Sequence, residues 1–536
     1  MAKLAPSTLD SEMLQERLDA NLKMEQWQSY RCRLVTPMYG GGVKAGEVDV
    51  DMPIRATEIR GQLRFWWRLL NRNLDSKTMF QQEREIWGGL GDEQSLAASM
   101  VVIKLSEFSN PNLAACATYP PGKSFPKWAD WANAYALFPA QGKAAKGVVE
   151  QEPAKLAREG LSFELHIRYR NLPKDAAKQE QICQSVSEAF RWWATFGGMG
   201  ARTRRGLGAV EIENLSEKQL FKYVTAAEVA CAGMQLAIRK PAKKNALEAW
   251  QQAVNAMRDF RQGEEVGRNK GQQANRPGRS RWPEPASIRK AVGVHRIKMG
   301  EKGEISFSPT PDTEIAFPRA AFGLPIIFHF QNEKTDKKSD PGDTQLTPVI
   351  DGKDKERMAS PLILRPYRTV DGWCPAALKL PEENLLRMDL KLENSGKGRN
   401  SNLPKITTAG KWWPQDNSSK ASKAAMIHPM KDRGNDALSA FLKYFEENST
   451  GSAVQSAVVV EKTEQTWEKA QVKFNRSNGA LTVEKDGKSA TAIKPASDVI
   501  LNDLSPNAQQ KIKTGQFFRA TATIKGSELL KLEEAK

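Results

Sequence analysis

Gly198-Met199-Gly200-Ala201-Arg202-Thr203-Arg204-Arg205-Gly206-Leu207-Gly208 sets two Gly-apolar-Gly triplets around five residues, three of them arginine. Glycine costs chain entropy, but it permits positive φ and lets a ligand lie against backbone with no Cβ in the way. The arginines add fixed charge and forked donors that suit phosphate. The stretch reads as a loop that approaches an anion, with backbone amides and guanidinium groups as donors. The plainer reading, a hairpin or helix-to-strand turn with solvated charges, stands beside it. A dinucleotide fingerprint starting at Gly198 would need glycine where Thr203 stands, and Gly122-Lys123-Ser124 lacks the earlier Walker glycine because Ala117 holds that place.

Outward from the loop, the pattern predicts a strand over Leu161–Tyr169, with Phe163, Leu165 and Ile167 alternating. A helix follows over Lys178–Thr195, with Ile182, Val186, Ala189 and Trp193 on its core face, and a strand resumes over Leu207–Ile212. Near the amino terminus a strand, Ser29–Val35, closes at Thr36-Pro37 and leads through a glycine-bearing acidic loop, Gly40–Asp51. Thr57 is the expected N-cap of the next helix, whose core face is Ile59, Leu63, Trp66 and Leu70. This order of elements predicts a ferredoxin-like (RRM-like) βαββαβ unit with the glycine loop at one edge of its sheet.

Arg60, Arg64 and Arg68 form a separate stripe on the first helix, with Glu58 the only carboxylate close by in sequence. Such a stripe is either a solvated face or a phosphate contact, since three uncompensated cations repel one another until an anion arrives. The pairs Trp66-Trp67 and Trp192-Trp193 are expected in the core, with base stacking as the alternative.

Further along, a helix over Ala242–Phe260 carries Leu247, Trp250, Val254 and Met257 on one face. Arg261–Arg281 reads as a flexible basic linker or RNA-contacting arm, or as plain disorder. Phe317–Pro325 leads into apolar Ile326–Phe330, and a strand pair is expected at Ala359–Arg365 and Trp373–Leu380; together they suggest a second α+β domain with long insertions. Trp412-Trp413 lies in a polar stretch, exposed for stacking or buried. After a helix, Asn435–Glu447, short strands over Val454–Glu461, Lys469–Phe474, Ala480–Glu484, Ala490–Lys494 and Phe517–Ile524 suggest a small OB-like barrel, with hairpin turns at Asn478-Gly479 and Asp486-Gly487. The expected division is a helical lead-in at 1–28, α+β domains at 29–230 and 231–450, and a small β-rich extension at 451–536.

The chain has 536 residues, net charge +17 and pI near 9.5, which favours a polyanionic partner, nucleic acid before membrane. It has no uncharged apolar run of roughly 18 residues, and its polar, acid-containing start is unlike a secretory signal, so a cytoplasmic protein is expected. Five dispersed cysteines argue against a disulfide frame or a zinc site. Asp49 and Asp51 read as solvated carboxylates rather than metal ligands, and no cofactor is expected. His166, His295, His329 and His428 are scattered singly; His166 should face opposite Leu165 and Ile167, at an exposed or edge position rather than a catalytic one.

With these residues laid out, the chain resembles the RAMP superfamily of the CRISPR systems, and the Gly198–Gly208 pattern is similar to that superfamily's glycine-rich signature. Thr36-Pro37-Met38, Ile59–Arg68, Phe196–Gly208, Arg281–Pro285 and Phe317–Pro325 together resemble the family of subunits numbered one in the type III-B, or Cmr, effector module. The resemblance implies two ferredoxin-like RAMP domains and a non-enzymatic subunit that holds the 3′ part of the guide RNA (crRNA). It also implies a role in capturing target RNA beside the sixth subunit and the repeating backbone subunit. Carried over, the RNA-facing residues would be Arg60, Gly61, Arg64 and Arg68 on the helix and Gly198, Gly200, Arg202, Arg204, Arg205, Gly206 and Gly208 in the loop. The alternative from the same superfamily is an endoribonuclease that processes guide-RNA precursor.

Overall fold

The computed structural model describes residues 27–90, 96–213, 221–271, 278–291, 296–298, 304–306, 316–330, 341–381, 388–394, 405–406, 429–434, 436–447, 465–476, 479–486, 488–492, 496–525 and 528–534. Residues 1–26 of the expected helical lead-in, Val454–Glu461 and Trp412-Trp413 lie outside them, and Gln28, expected to end the lead-in, opens the first strand. By internal contacts the chain divides into residues 1–451 and 452–536.

In the larger unit the first sheet takes β1 (Gln28–Leu34), β2 (Val101–Ser106), β3 (Ser162–Tyr169) and β4 (Val210–Ile212). Their order is β4-β1-β3-β2 and every pairing is antiparallel. Helices α1 (Ala56–Leu70) and α3 (Ala176–Phe196) follow β1 and β3, with α2 (Ser76–Trp87) beside α1. The 3.6-residue periodicity read from the sequence sets which faces turn inward: Ile59, Leu63, Ile182, Val186, Ala189 and both tryptophan pairs are buried, so the rings build the core. Thr57 is not the N-cap. The amides of Glu58 and Ile59 both donate to Arg55 O, which starts the helix at Ala56 and leaves Thr57 in its first turn.

A second antiparallel sheet joins β5 (Gln235–Ile238), β6 (Leu362–Thr369) and β7 (Gly372–Lys379) in the order β5-β7-β6. Helix α4 (Ala246–Gln262) packs on β6 and β7, and α5 (Ala437–Glu447) on β5. Both faces of this sheet are covered. Leu362 and Leu364 join Trp250, Phe260 and Phe441 in one core, whereas Ile363 and Tyr367 join Trp66, Trp193 and Phe196 in the other. Side chains alternate along a strand, so β6 belongs to two hydrophobic cores at once.

The basic segment after α4 is folded where it is described. Asn269 N–H donates to Arg279 O and Arg281 N–H to Gly267 O, while the Arg281 guanidinium reaches Glu265 Oε2 at 2.6 Å. The charges counted there as a free arm are partly satisfied by this local turn.

The smaller unit is a closed barrel of β8 (Gln465–Asn475), β9 (Ala480–Lys485), β10 (Lys488–Ala492), β11 (Arg519–Lys525) and β12 (Glu528–Glu534), in the order β8-β9-β10-β12-β11. β10 and β12 run parallel, the other pairs antiparallel, and α6 (Ala496–Asn502) and α7 (Pro506–Thr514) sit between β10 and β11. This is the connectivity of an OB barrel. Val472, Leu481, Val483, Ile512, Ile524 and Leu532 fill it. The two helices and the last strand are additions to what the sequence pattern predicted.

Candidate nucleic-acid interface

The glycine loop runs from the end of α3 into β4 and is woven into the fold. Met199 N–H donates to Gly208 O, Ala201 N–H to Tyr39 O and Gly208 N–H to Pro37 O, at 2.7–2.9 Å. Gly200 N–H donates to Glu58 Oε1 at 2.5 Å. Thr36, fully buried, accepts from Ala209 N–H at 2.9 Å and donates through its hydroxyl to Gly206 O at 2.7 Å. These amides are bonded within the protein. The glycines answer to packing. Gly206 has φ +77°, and a Cβ there would stand 2.5 Å from Leu364 O and 2.6 Å from Trp250 Cδ1. Gly198 and Gly200 press against Leu207 O and Tyr39 O, and Gly208 against Met199 O.

The loop's arginines do reach an opening. A cleft of about 450 Å³ is lined by Arg202, Arg204 and Arg205 from the first half of the unit and by Arg261, Phe322 and Met358 from the second. Arg202 donates from Nε to Ala136 O at 2.5 Å, and Arg204 lies 4.9 Å over the Phe65 ring of α1. Trp250 Nε1 donates to Arg205 O at 2.7 Å, fixing that turn against α4. Arg261 donates from Nη1 to the Tyr135 hydroxyl at 2.8 Å. Among the described residues no carboxylate pairs with any of these four arginines, and Nη1 of Arg204 and of Arg205 is buried without a hydrogen-bond partner. Burial, with Arg205 as a like-charged neighbour, pushes Arg204 down to about 10. Arg205 is likewise pushed down to about 10, chiefly by burial. Both remain cationic at neutral pH, and partly buried cations with no carboxylate partner among the described residues favour an anion that enters the cleft.

The arginine stripe on α1 differs. Arg64 Nε is 2.8 Å from Glu83 Oε1 and Arg68 Nη1 is 3.7 Å from the same oxygen. Glu83, on α2, is a carboxylate the local sequence did not reveal, so the argument from an absent counter-charge fails for these two. Among the described residues Arg60 has no such partner; its Nη2 donates to Val101 O at 3.4 Å, and its Nε is buried without a hydrogen-bond partner. Gly61 is exposed, and a Cβ there would meet nothing within 4 Å. Unlike the loop glycines, it is not required by packing.

Two segments singled out in the sequence meet behind the cleft. Glu284, fully buried, accepts from Arg319 N–H at 2.7 Å and faces Arg319 Nε at 3.1 Å, joining the Arg281–Pro285 segment to Phe317–Pro325. Phe322 in the cleft wall belongs to the second of these. Sequence reasoning missed Arg365, which is 3% exposed and donates to Trp193 O, Ala194 O, Gly197 O and Val210 O. It caps the carboxyl end of α3 from β6, where the helix dipole favours a cation. Burial pushes its guanidinium down to about 9. A lone arginine inside the apolar run Leu362-Ile363-Leu364-Arg365 was the available signal. Arg261, placed in the linker by the sequence reading, was the other omission.

His166 lies between two hydroxyls, Ser29 Oγ at 2.7 Å from Nδ1 and Ser106 Oγ at 2.6 Å from Nε2, with Glu164 Oε2 at 3.6 Å. His329 pairs with Asp343 at 2.8 Å, while His295 and His428 lie outside the described residues. Asp49 caps its own loop, accepting from the amides of Asp51 and Met52 at 3.1 Å. Among the described residues no cluster of three or more His, Cys, Asp or Glu could hold a metal ion, and no helix is long and apolar enough to cross a membrane.

The family model of the RAMP superfamily matches residues 31–211. The match spans β1 to β4 with their helices and includes the whole glycine-arginine loop, so the resemblance read from the sequence holds over this stretch. No curated protein matches the chain. Among solved structures it is similar to apo Cmr1 from Pyrococcus furiosus, with 14% identity, 78% of this chain and 96% of that chain covered, and TM-score 0.34. It is also similar to a chain of the type III-B Cmr-beta complex bound to cognate target RNA and AMPPnP in the presence of single-stranded DNA, with 9% identity, 78% and 98% coverage, and TM-score 0.35. A chain of Cmr-beta bound to cognate target RNA gives 10% identity, 70% and 95% coverage, and TM-score 0.34.

Proposed function

We propose that this chain is a non-catalytic, RNA-binding subunit of a type III-B CRISPR effector complex, built on two ferredoxin-like domains. It holds the 3′ part of the guide RNA and helps capture target RNA in antiviral defence, beside the sixth subunit and the backbone subunit. The observation that carries this reading is the cleft in which Arg202, Arg204, Arg205 and Arg261 converge with no carboxylate among the described residues. The RAMP match over residues 31–211 supports it, as does the meeting of the Arg281–Pro285 and Phe317–Pro325 segments behind the same cleft. Phosphate contacts by arginine would fix the strand, and pairing between guide and target would read the sequence. The test is binding of single-stranded RNA across a salt series by the protein and its Arg204→Ala/Arg205→Ala variant. An unchanged affinity and salt slope would sink the proposal.

The enzyme reading, a RAMP endoribonuclease that processes guide-RNA precursor, has one observation in its favour: His166 with a serine hydroxyl at each ring nitrogen. A discrete cut in repeat RNA without metal, lost in His166→Ala, would favour it over the binding subunit.

A further inference from the structure

The carboxyl-terminal barrel carries a feature that its own folding does not explain. Phe517, between α7 and β11, is 66% exposed, although a phenylalanine has no polar atom to offer water. The Arg519 guanidinium lies 5.1 Å over its ring. Val472 N–H donates to Phe518 O at 2.9 Å, and Arg476 Nε donates to Lys513 O at 2.9 Å. These bonds bring the end of β8, the end of α7 and the start of β11 together, so one rim of the barrel carries Arg476, Lys513, Phe517 and Arg519. Among the described residues none of its three cations has an ion-pair partner. The outer faces of β8 to β10 are different: Thr482 and Thr491 bond to each other at 3.0 Å, and Lys473 is paired with Glu484 at 2.5 Å. Those faces are polar and compensated, whereas the rim is cationic and aromatic.

We infer that this rim is a second contact for single-stranded RNA, with an unpaired base stacked on Phe517 and the adjacent phosphates held by Arg519, Arg476 and Lys513. An exposed ring next to uncompensated cations suits a base and its phosphate, and only an unpaired base offers a free face. The contact is separate from the arginine cleft and stands or falls independently of it.

The experiment uses the full chain with its cleft intact. Single-stranded RNA carrying 4-thiouridine is crosslinked and the adducts are mapped by peptide. An adduct within 511–519 is expected in addition to any at the cleft. Phe517→Ala should weaken binding of a long oligonucleotide roughly tenfold, and Arg519→Gln should lower the salt slope by about 0.7. Phe517 is exposed, so its replacement leaves the barrel core alone; circular dichroism confirms folding. Crosslinks confined to the cleft, or a Phe517→Ala variant with unchanged affinity, would overturn the inference. A rim that binds an acidic protein while RNA affinity stays the same would overturn it too. Loss of cleft adducts with rim adducts retained would count against the proposed function alone.

Discussion

The glycine-arginine loop and the arginine face of α1 offer the same residue type at close spacing, yet they meet different environments. On α1, Glu83 from α2 lies within reach of Arg64 and Arg68. At the loop, the arginines turn toward a cleft whose other wall supplies a further arginine and aliphatic and aromatic side chains rather than an acid. Arg64 and Arg68 are held by a protein carboxylate, while the cleft arginines have none among the described residues. Density of positive charge therefore does not locate an anion site; the absence of a compensating carboxylate does. Arg204 links the two regions by stacking on Phe65 of α1.

Neutralising each region in turn separates them. Arg204→Ala/Arg205→Ala should weaken single-stranded RNA binding by roughly a hundredfold if each arginine makes one charge-assisted phosphate contact, and should reduce the salt slope by about 1.4. Arg64→Ala should change affinity much less, because its partner is already in the protein; equal effects in the two regions would erase the distinction. Thr36→Val removes the hydroxyl that serves both Gly206 O and Ala209 N–H, leaving two buried groups unpaired. About 1–3 kcal/mol of stability should be lost in chemical denaturation, with cleft affinity falling only as the loop loosens. Gly61→Ala should stabilise α1 by about 0.5–1 kcal/mol, since the added methyl meets nothing and glycine is a poor helix former. If RNA affinity falls in the same variant, a strand passes close to the helix there; unchanged affinity leaves the stripe a solvated face.

The smallest effect concerns pH. Arg204 and Arg205 are pushed down to about 10, below the ordinary arginine value, so both stay charged at neutrality. Affinity for RNA should stay level from about pH 6 to 9 and decline above about 10, as the groups lose their protons; a site that depends on histidine would instead respond between about pH 5 and 8. Equilibrium binding measured across this range separates the two.

Much of the fold was legible because periodicity is local. Ile182, Val186, Ala189 and Trp193 recur on one face of α3 and are all buried. The order of strands and helices around the loop follows the same signal, and the barrel's hairpins were marked by their turns. The helix start was misplaced by two residues because backbone bonding to Arg55 O, not the Thr57 side chain, opens α1. In the candidate site, the loop arginines are legible from composition, but the packing that requires the glycines is not. Their neighbours, Leu364, Trp250 and Tyr39, come from distant segments whose approach no local pattern records.

Residue pattern alone is enough for the apolar faces, the α+β class and the clustering of arginine in the glycine loop, because each of these depends on residues within a few turns of one another. Folding sets which arginines are compensated, makes β6 serve two cores, and lets Arg365 cap α3 across 168 residues to Gly197 O. Coulomb and hydrogen-bond energies depend on distances of a few ångströms, and those distances exist only after folding has brought remote segments together.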